Sequence, residues 1–342
     1  MSTAGRLSRA DAIVIAGCVL MAAVVTLAAD DLLQECERRI ACASNLRALA
    51  MAQCIYANDN HDDFARQSGR QPSHWTRTTP GWDDPLKVWP WQGSELTVGA
   101  SLYLLVRQAD ANPASFVCPA SGQRAFDGAN PNAADLRELW DFGSIDYKNT
   151  GPRNCVSYAY QMPYSRYAPQ AGGMSSWQIA VMADRSPWYD SAIRKGAPSD
   201  AAWKDRVGYI VYDDDARGDR DWQLQVGNSK AHWRNGQNIM FADGHVSFVL
   251  RADVGKRNDN IYTPHGGAQP ESPDYYRVGQ MPDPYGIGYG EAVSYGDSFL
   301  VNDDENNPCA ADQPGDLNAD CRVDMADVAV LSRHWLESTR AD

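Results

Sequence analysis

The clearest candidate for chemistry in this sequence is an aspartate-rich loop near the C-terminus. Oxygen-bearing side chains occupy loop positions 1, 3, 5, 9 and 12 of the stretch 316–327, and the main-chain carbonyl of Arg322 adds position 7. This spacing wraps one backbone turn around a hard cation that takes roughly six to eight oxygen ligands, which predicts a Ca²⁺ site. An apolar-striped helix is predicted from 328 onwards. The alternative is an ordinary acidic N-cap of that helix without a metal.

The loop and helix within 309–342 resemble one repeat of a type I dockerin, the calcium-dependent module that binds cohesin domains. The resemblance implies that the metal ligands are Asp316, Asn318, Asp320, Arg322 through its carbonyl, and Asp327. Asp324 would act only through a water molecule. The resemblance also makes a cohesin-like protein a candidate partner of this tail.

The tail departs from the dockerin pattern at three points. The chain contains one such loop where dockerins carry two, Cys321 occupies the position usually held by glycine, and Asp327 closes the loop in place of glutamate. We therefore expect a weak calcium site. A disulfide between Cys309 and Cys321 could restore the rigidity that the missing glycine removes.

Histidines and acidic residues of the central region are further candidates, although none belongs to a known catalytic motif. His232, Asp243 and His245 could form a site only if their side chains converged, and a hydrolase hypothesis would use Asp184 with His232 and Asp243. The acidic run 213–221 could bind a cation, but such loops are usually only solvated. No Gly-x-Ser-x-Gly, His-Glu-x-x-His or P-loop motif occurs. We therefore expect no catalytic residues and a non-enzymatic protein.

The eight cysteines are scattered along the chain and include no Cys-x-x-Cys pair. This argues against a zinc ribbon, and favours occasional disulfides in an oxidising compartment over a metal cluster. Cys18 lies in an apolar run and is best interpreted as a small hydrophobic residue. A disulfide between Cys118 and Cys155 is one option that the sequence leaves open.

The overall composition excludes one class of partner. The net charge of −13 argues against nucleic-acid binding, which requires basic surface. The 11 Trp and 16 Tyr residues indicate either a loop-rich fold held by large buried side chains or a carbohydrate-facing surface, and buried aromatics are the commoner case.

The N-terminal region predicts a membrane helix. Residues 12–29 contain no charge, Arg6 and Arg9 precede them, and acidic residues follow from Asp30. The length approaches the roughly 20 residues that cross a bilayer, and the positive-inside rule places the N-terminus in the cytoplasm and the body outside. A signal peptide cleaved after Thr26-Leu-Ala28 is the alternative.

An amphipathic helix is predicted to continue the membrane segment over 30–60. Apolar positions follow a spacing of three and four, without Pro or Gly, until the turn-forming residues 58–60. The two segments can form one rod of roughly 70 Å. Its predicted apolar face consists of Leu33, Cys36, Ile40, Ala43, Leu46, Ala50 and Cys54.

Short strands are predicted in the region 61–265. Residues 155–160 alternate in polarity, and 178–183 form a continuous apolar run that suits a central strand. Residues 238–249 predict a hairpin with a type I′ turn at Asp243-Gly244. One more short strand is expected at 298–301.

Several of these segments together resemble bacterial prepilin-type, pseudopilin-like proteins. The stretch CASNLRALAMAQCIYANDN (42–60) is similar to the helix of that family, and HWRNGQNIMFADG (232–244) is similar to its His-x9-Asp-Gly signature with one extra residue. Cys118-Pro119 and 157–160 also match. A prepilin peptidase site is missing, because the apolar run opens with Ser8-Arg-Ala-Asp without the glutamate of the family, which puts peptidase processing and filament assembly in doubt.

The resemblance implies an α+β fold in which a long N-terminal helix packs on an antiparallel β-sheet head, with a small EF-hand-like tail. The predicted regions are the cytoplasmic N-terminus 1–11, the transmembrane helix 12–29, its amphipathic continuation 30–60, the head 61–265, a Gly/Pro/Asp-rich linker 266–308 and the calcium-binding tail 309–342.

The predicted function is that of a membrane-anchored surface or type II secretion-associated protein of the cell envelope. Its expected partners are membrane lipid, other pilin-like subunits along the helix, and a cohesin-like protein at the tail. The alternatives are an adaptor for extracellular polysaccharide-processing assemblies, or a glycan-directed hydrolase.

Overall fold

The computed structural model describes residues 9–67, 74–75, 79, 81–84, 95–128, 135–144, 151–164, 166–167, 170–171, 176–187, 227–266, 269–280 and 292–303. Inside helices and strands, the side chains of 9–13, 20, 22–29, 31, 74, 75, 95, 176 and 274 fall outside this description. The predicted calcium ligands, the Cys309–Cys321 pair and the acidic run 213–221 all lie outside the described residues.

One continuous helix, α1, spans Arg9–Asp59. Its 51 residues correspond to roughly 76 Å, which confirms the predicted long rod. It ends at the predicted turn, where the Asn60 side chain donates to the Tyr56 carbonyl at 2.8 Å. Among the residues whose side chains are described, no helical stretch is long and apolar enough to cross a bilayer.

The face of α1 that packs on the head agrees with the predicted face only in part. Leu33 and Ile40 are 63% and 68% exposed, and Cys36 and Cys54 are also exposed. The buried positions are Glu35, Cys42, Leu46, Leu49, Ala50, Ala52, Gln53, Tyr56 and Ala57. The prediction is confirmed for Leu46 and Ala50 and was wrong for Leu33, Cys36, Ile40 and Cys54. It counted only apolar residues, whereas the polar Glu35 and Gln53 are buried against hydrogen-bonding partners in the head.

The head is built on a five-stranded antiparallel sheet with the order β6-β5-β4-β3-β7. Its strands are β3 (Tyr158–Gln161), β4 (Ala180–Asp184), β5 (Gln237–Phe241), β6 (Val246–Val249) and β7 (Leu300–Val301). A separate parallel pair joins β1 (His74–Trp75) to β2 (Glu95–Leu96). The apolar run at 178–183 is indeed the central strand, and the short strand expected at 298–301 pairs with β3 at the edge.

The hairpin of β5 and β6 is confirmed, but its turn differs from the prediction. Asp243 does not have the positive φ that a type I′ turn requires, and only Gly244 does, with φ +85°. The Gly244 N–H donates to the Phe241 carbonyl at 2.8 Å, so a type I turn followed by a left-handed glycine connects the strands.

Within the described residues, three further α-helices are α2 (Val98–Gln108), α3 (Pro152–Cys155) and α4 (Asp274–Arg277). Thr97 caps α2 through the Ala100 N–H, and the Asp303 carboxylate accepts the Val98 and Gly99 N–H groups. Tyr103 of α2 packs edge-to-face on Phe142, which also meets Phe116, so these aromatics are buried rather than surface-exposed. The class is therefore α+β, as predicted.

Candidate metal centre

Four separate segments bring one potential metal ligand each to the junction between α1 and the sheet. Cys42 comes from the buried face of α1, and Cys118 follows a short 3-10 helix at Pro113–Phe116. Asp184 ends the central strand β4, and His232 lies in the loop that leads into β5. Their exposed fractions are 0%, 0%, 0% and 1%, and their ligand atoms all lie within 4.8 Å of one another.

The spacing of these atoms suits a tetrahedral metal ion. Cys118 Sγ lies 3.5 Å from His232 Nε2, which lies 3.6 Å from Asp184 Oδ2. Asp184 Oδ1 lies 3.0 Å from Cys42 Sγ. Zinc–ligand bonds of about 2.0–2.3 Å place tetrahedral ligand atoms roughly 3.3–3.8 Å apart. A metal would therefore need only small side-chain adjustments to bind here.

The imidazole of His232 is oriented for metal binding. Its Nδ1 lies 2.8 Å from Glu35 Oε1 on α1, where an Nδ1 proton is donated to the carboxylate. With a metal bound, Nε2 would be deprotonated and would turn its lone pair to the metal, in place of the contact that it makes with the Asn238 amide nitrogen. A carboxylate that accepts from the distal nitrogen is the usual support of a metal-bound histidine.

The backbone around His232 is held in an uncommon conformation. His232, Trp233 and Arg234 have φ values of 55°, 55° and 60°, in the left-handed region that costs roughly 1 kcal/mol or more per residue. Gly236 follows, and a Cβ there would lie 2.3 Å from the Val249 carbonyl oxygen. The Phe248 ring packs edge-to-face on the imidazole at 5.8 Å. Such local strain is concentrated at functional sites.

The Asp184 carboxylate has one oxygen fixed and one facing the cluster. Its Oδ2 accepts the main-chain N–H of Asn238 at 2.7 Å, and the Asn238 amide nitrogen lies 3.2 Å from His232 Nε2. Oδ1 points at Cys42. Asp184 would therefore offer a metal one oxygen, Oδ1, while Asn238 of β5 holds the other.

Both sulfur atoms receive hydrogen bonds typical of thiolate ligands. The Tyr158 hydroxyl lies 3.4 Å from Cys42 Sγ, and the Ala120 N–H donates to Cys118 Sγ at 3.4 Å. Donors of this kind stabilise negative sulfur.

Burial and mutual hydrogen bonding shift the pKa values of all four side chains of the cluster. Hydrogen bonds from Cys42 and His232 lower the pKa of Cys118 despite its burial, whereas burial raises the pKa of Cys42 well above its ordinary value. Burial lowers the pKa of His232, but Cys118, Asp184 and Glu35 outweigh it and raise that pKa to about 9. Burial also raises the pKa of Asp184. A divalent cation would replace these protons with a charge that all four ligands share.

The cysteines do not follow the sequence expectation. All six that the structure describes are free thiols, including Cys118 and Cys155, which the sequence allowed to pair. A set of two sulfurs, one imidazole and one carboxylate suits Zn²⁺ best among the common divalent ions. The sequence analysis did not predict this metal centre, because each of its four ligands lies in a different segment of the chain.

Two of the three residues of the hydrolase hypothesis come together, and the third does not. Asp184 and His232 are neighbours in the cluster. Asp243 instead lies at the hairpin turn, with Oδ1 2.6 Å from His245 Nδ1, and the His245 ring stacks on Phe241. Burial alone would raise the pKa of Asp243, but the hydrogen bonds and charge of His245 together outweigh it and lower that pKa. His232, Asp243 and His245 therefore do not form one site.

No family model, curated protein or solved structure matches this chain. The interpretation of the site therefore depends on the residues themselves. The segments that carry the pseudopilin-like resemblance nevertheless meet in space. Cys42, Cys118 and His232 each belong to one of them, and Tyr158 to a fourth.

Proposed function

We propose that this chain is a non-enzymatic, pseudopilin-like protein of the bacterial cell envelope. A buried zinc centre would connect its head to the long helix α1, which we call the stalk. One observation carries the proposal: Cys42 on the long helix α1 converges with Cys118, Asp184 and His232 of the head. Glu35 lies on the same face of α1, about two turns before Cys42, and its carboxylate contacts the histidine. A metal here would lock the angle and register of the helix on the sheet.

The role is structural rather than catalytic. Four protein ligands fill a tetrahedral shell, whereas catalytic zinc sites keep a position for water. The ligands are at most 1% exposed, so a substrate has no access to the metal. This argues against the hydrolase alternative, which would require Asp184 and His232 to reach solvent.

The N-terminal part of α1 is proposed to anchor the protein in the cell membrane, with the N-terminus in the cytoplasm and the head outside. Residues 12–29 carry no charge, and the described side chains of Val14, Ile15, Val19 and Met21 are exposed. Large apolar side chains without protein neighbours suit contact with lipid. Exposed Leu33 and Ile40 further along the helix suit packing against other pilin-like subunits.

The tail is proposed to bind Ca²⁺ and to serve as a docking module, on the spacing of its oxygen ligands. The adaptor alternative places the main role there. Binding of a cohesin domain to the full chain in Ca²⁺, abolished by EDTA, would favour the adaptor, and the absence of binding would exclude cohesin as the partner.

The zinc centre is tested by the metal content of the full chain purified in detergent under reducing conditions. Cys118→Ser should lose one zinc per chain relative to the wild type. Cys155→Ser, which removes another buried free thiol, should lose none. Equal zinc in both variants would contradict the proposal.

The anchor is tested by N-terminal sequencing of the protein recovered from membranes. A start at residue 1 or 2 supports an uncleaved anchor. A start near Ala29 would indicate a secreted protein and contradict this part of the proposal.

A further inference from the structure

A second group of buried ligands lies in the head, apart from the first and supplied by other segments. Asp259 and His265 belong to the segment that follows β6, and Asp297 belongs to the segment that leads into β7. Their exposed fractions are 0%, 5% and 1%. His265 Nε2 lies 3.0 Å from Asp259 Oδ1 and 3.6 Å from Asp297 Oδ1.

These three atoms converge without satisfying one another. Asp259 Oδ1, His265 Nε2 and Asp297 Oδ1 are each buried without a hydrogen-bond partner, since their short contacts lack hydrogen-bond geometry. Buried polar atoms are almost always paired, so three orphans that face one point indicate a missing ligand.

The rest of each carboxylate is firmly held. Asp259 Oδ2 accepts the Ser298 N–H at 2.8 Å, and Asp297 Oδ2 accepts the N–H groups of Val293 and His265 at 2.6 and 3.1 Å. The backbone approaches closely at Gly255, where a Cβ would lie 2.8 Å from the Asp259 side chain. The free oxygens are thus fixed in place before any ligand binds.

Two desolvated carboxylates side by side are costly unless a cation neutralises them. Burial raises the pKa of Asp297 to about 7 and that of Asp259 well above its ordinary value, and it lowers the pKa of His265. The aromatic rings of Tyr275 and Tyr276 flank the imidazole, with centroids 5.7 and 4.8 Å away. A proton can satisfy one pair of these atoms, whereas a divalent ion satisfies all three.

We propose that Asp259, His265 and Asp297 bind a second divalent ion of the first transition row, through one carboxylate oxygen each and His265 Nε2. A set of two oxygens and one nitrogen without sulfur suits Mn²⁺ or Zn²⁺ and leaves coordination positions open. The ion would tie the segment 292–303, which carries the edge strand β7, to the segment 259–265. The site does not depend on the zinc centre.

The test uses Mn²⁺ and the full chain in detergent, in a Cys118→Ser background that disables the first centre, with excess Ca²⁺ present to occupy the proposed calcium loop of the tail. Titration followed by electron paramagnetic resonance should show one bound Mn²⁺ per chain. Asp297→Asn in that background keeps an acceptor for Val293 and His265, and should reduce Mn²⁺ affinity at least 100-fold. Asp253→Asn, a buried carboxylate paired with Arg251 and Arg277, is the matched control and should bind as before.

Circular dichroism establishes that each variant is folded, and His265→Gln replaces Asp297→Asn if the latter does not fold. Undiminished Mn²⁺ binding in the folded variant, or no bound Mn²⁺ in the Cys118→Ser background, would overturn the proposal. If the zinc centre at Cys42 and Cys118 did not exist, the amount of Mn²⁺ bound per Cys118→Ser chain would be the same. The two proposals can therefore be contradicted independently.

Discussion

His232 Nδ1 lies 2.8 Å from Glu35 Oε1, although 197 positions separate the two residues in the chain. The contact joins the stalk helix to the loop before β5 and orients the ring nitrogen that faces Cys42, Cys118 and Asp184. A metal bound at this junction would tie α1 to the head through Cys42 and Cys118.

Removal of zinc should loosen the helix from the head. The stabilisation by a bound ligand is about 4 kcal/mol when its free concentration is 1,000 times Kd. Chelation should therefore lower the thermal midpoint of the full chain and accelerate amide exchange over 35–57. Hydrogen exchange with mass spectrometry measures this, with Cys118→Ser as a control in which chelator should not change the exchange over 35–57. Equal exchange in the loaded and chelated wild type would contradict the structural role.

Glu35 should strengthen zinc binding without touching the metal. Loss of such a supporting carboxylate weakens metal affinity by roughly 10–100-fold, so Glu35→Ala should raise the zinc Kd by that factor. Glu37→Ala removes an exposed carboxylate from the same helix and should leave the Kd unchanged. Competition with a chromophoric chelator measures both. Equal zinc affinities of Glu35→Ala and the wild type would contradict this supporting role of Glu35.

The two histidines of the signature region should behave differently. His245 has a 42% exposed side chain and an exposed partner, so His245→Ala should cost less than about 1 kcal/mol and retain zinc. His232→Ala leaves Glu35 with Arg39 as its ion-pair partner at 2.9 Å and removes the histidine hydrogen bonds beside a new cavity, so it should cost roughly 1–3 kcal/mol and lose zinc. Denaturant unfolding and metal content compare the two, and equal effects would contradict the assignment.

Asp141 should make the protein less stable as pH rises. Burial, followed by the charge of Asp303, raises the pKa of Asp141 from 3.8 to about 7, while Thr97, Thr79 and the Phe142 N–H partly offset this by hydrogen bonding to it. Between pH 4 and 7 the folded state therefore holds a proton that the unfolded state has released, and stability falls as pH rises through this window. The full shift corresponds to roughly 4 kcal/mol.

The measurement is the difference in unfolding free energy between the wild type and Asp141→Asn from pH 4.5 to 8. The advantage of the wild type should shrink as pH rises. A difference that is constant with pH would contradict the prediction.

The tail should be protected from proteolysis by Ca²⁺. Asp316→Ala combined with Asp320→Ala removes ligands from loop positions 1 and 5, and should abolish that protection. Asp342→Ala is the control, because it changes an acidic residue outside the loop. Cleavage of the wild type at the same rate with and without Ca²⁺ would contradict the calcium site.

The sequence predicted elements well where the signal is local. The uninterrupted helix, its end near Asn60, the central strand at β4 and the β5–β6 hairpin all depend on nearby residues, and the structure contains them. The exposed Ile40 and the buried Glu35 were not predictable from periodicity, because the face of a helix that packs is chosen by its partners.

The metal centre could not be derived from spacing, since its ligands are brought together only by the tertiary fold. A usable signal was present: Cys42, Cys118-Pro119 and His232 all lie in the segments that resemble one family, and each is a residue type that binds metals. Asp184 was noted only as a candidate for hydrolysis. The orphaned oxygens of Asp259 and Asp297 gave no signal in the sequence, because unsatisfied hydrogen bonding is a property of the folded state.

The zinc K-edge X-ray absorption spectrum of the full chain, with Asp297→Asn to leave only the first centre loaded, tests the central claim most directly. The account predicts two sulfur neighbours at about 2.3 Å and two nitrogen or oxygen neighbours at about 2.0 Å. A spectrum with only nitrogen and oxygen neighbours would show that the metal does not join Cys42 of the stalk to Cys118 of the head, and would contradict it.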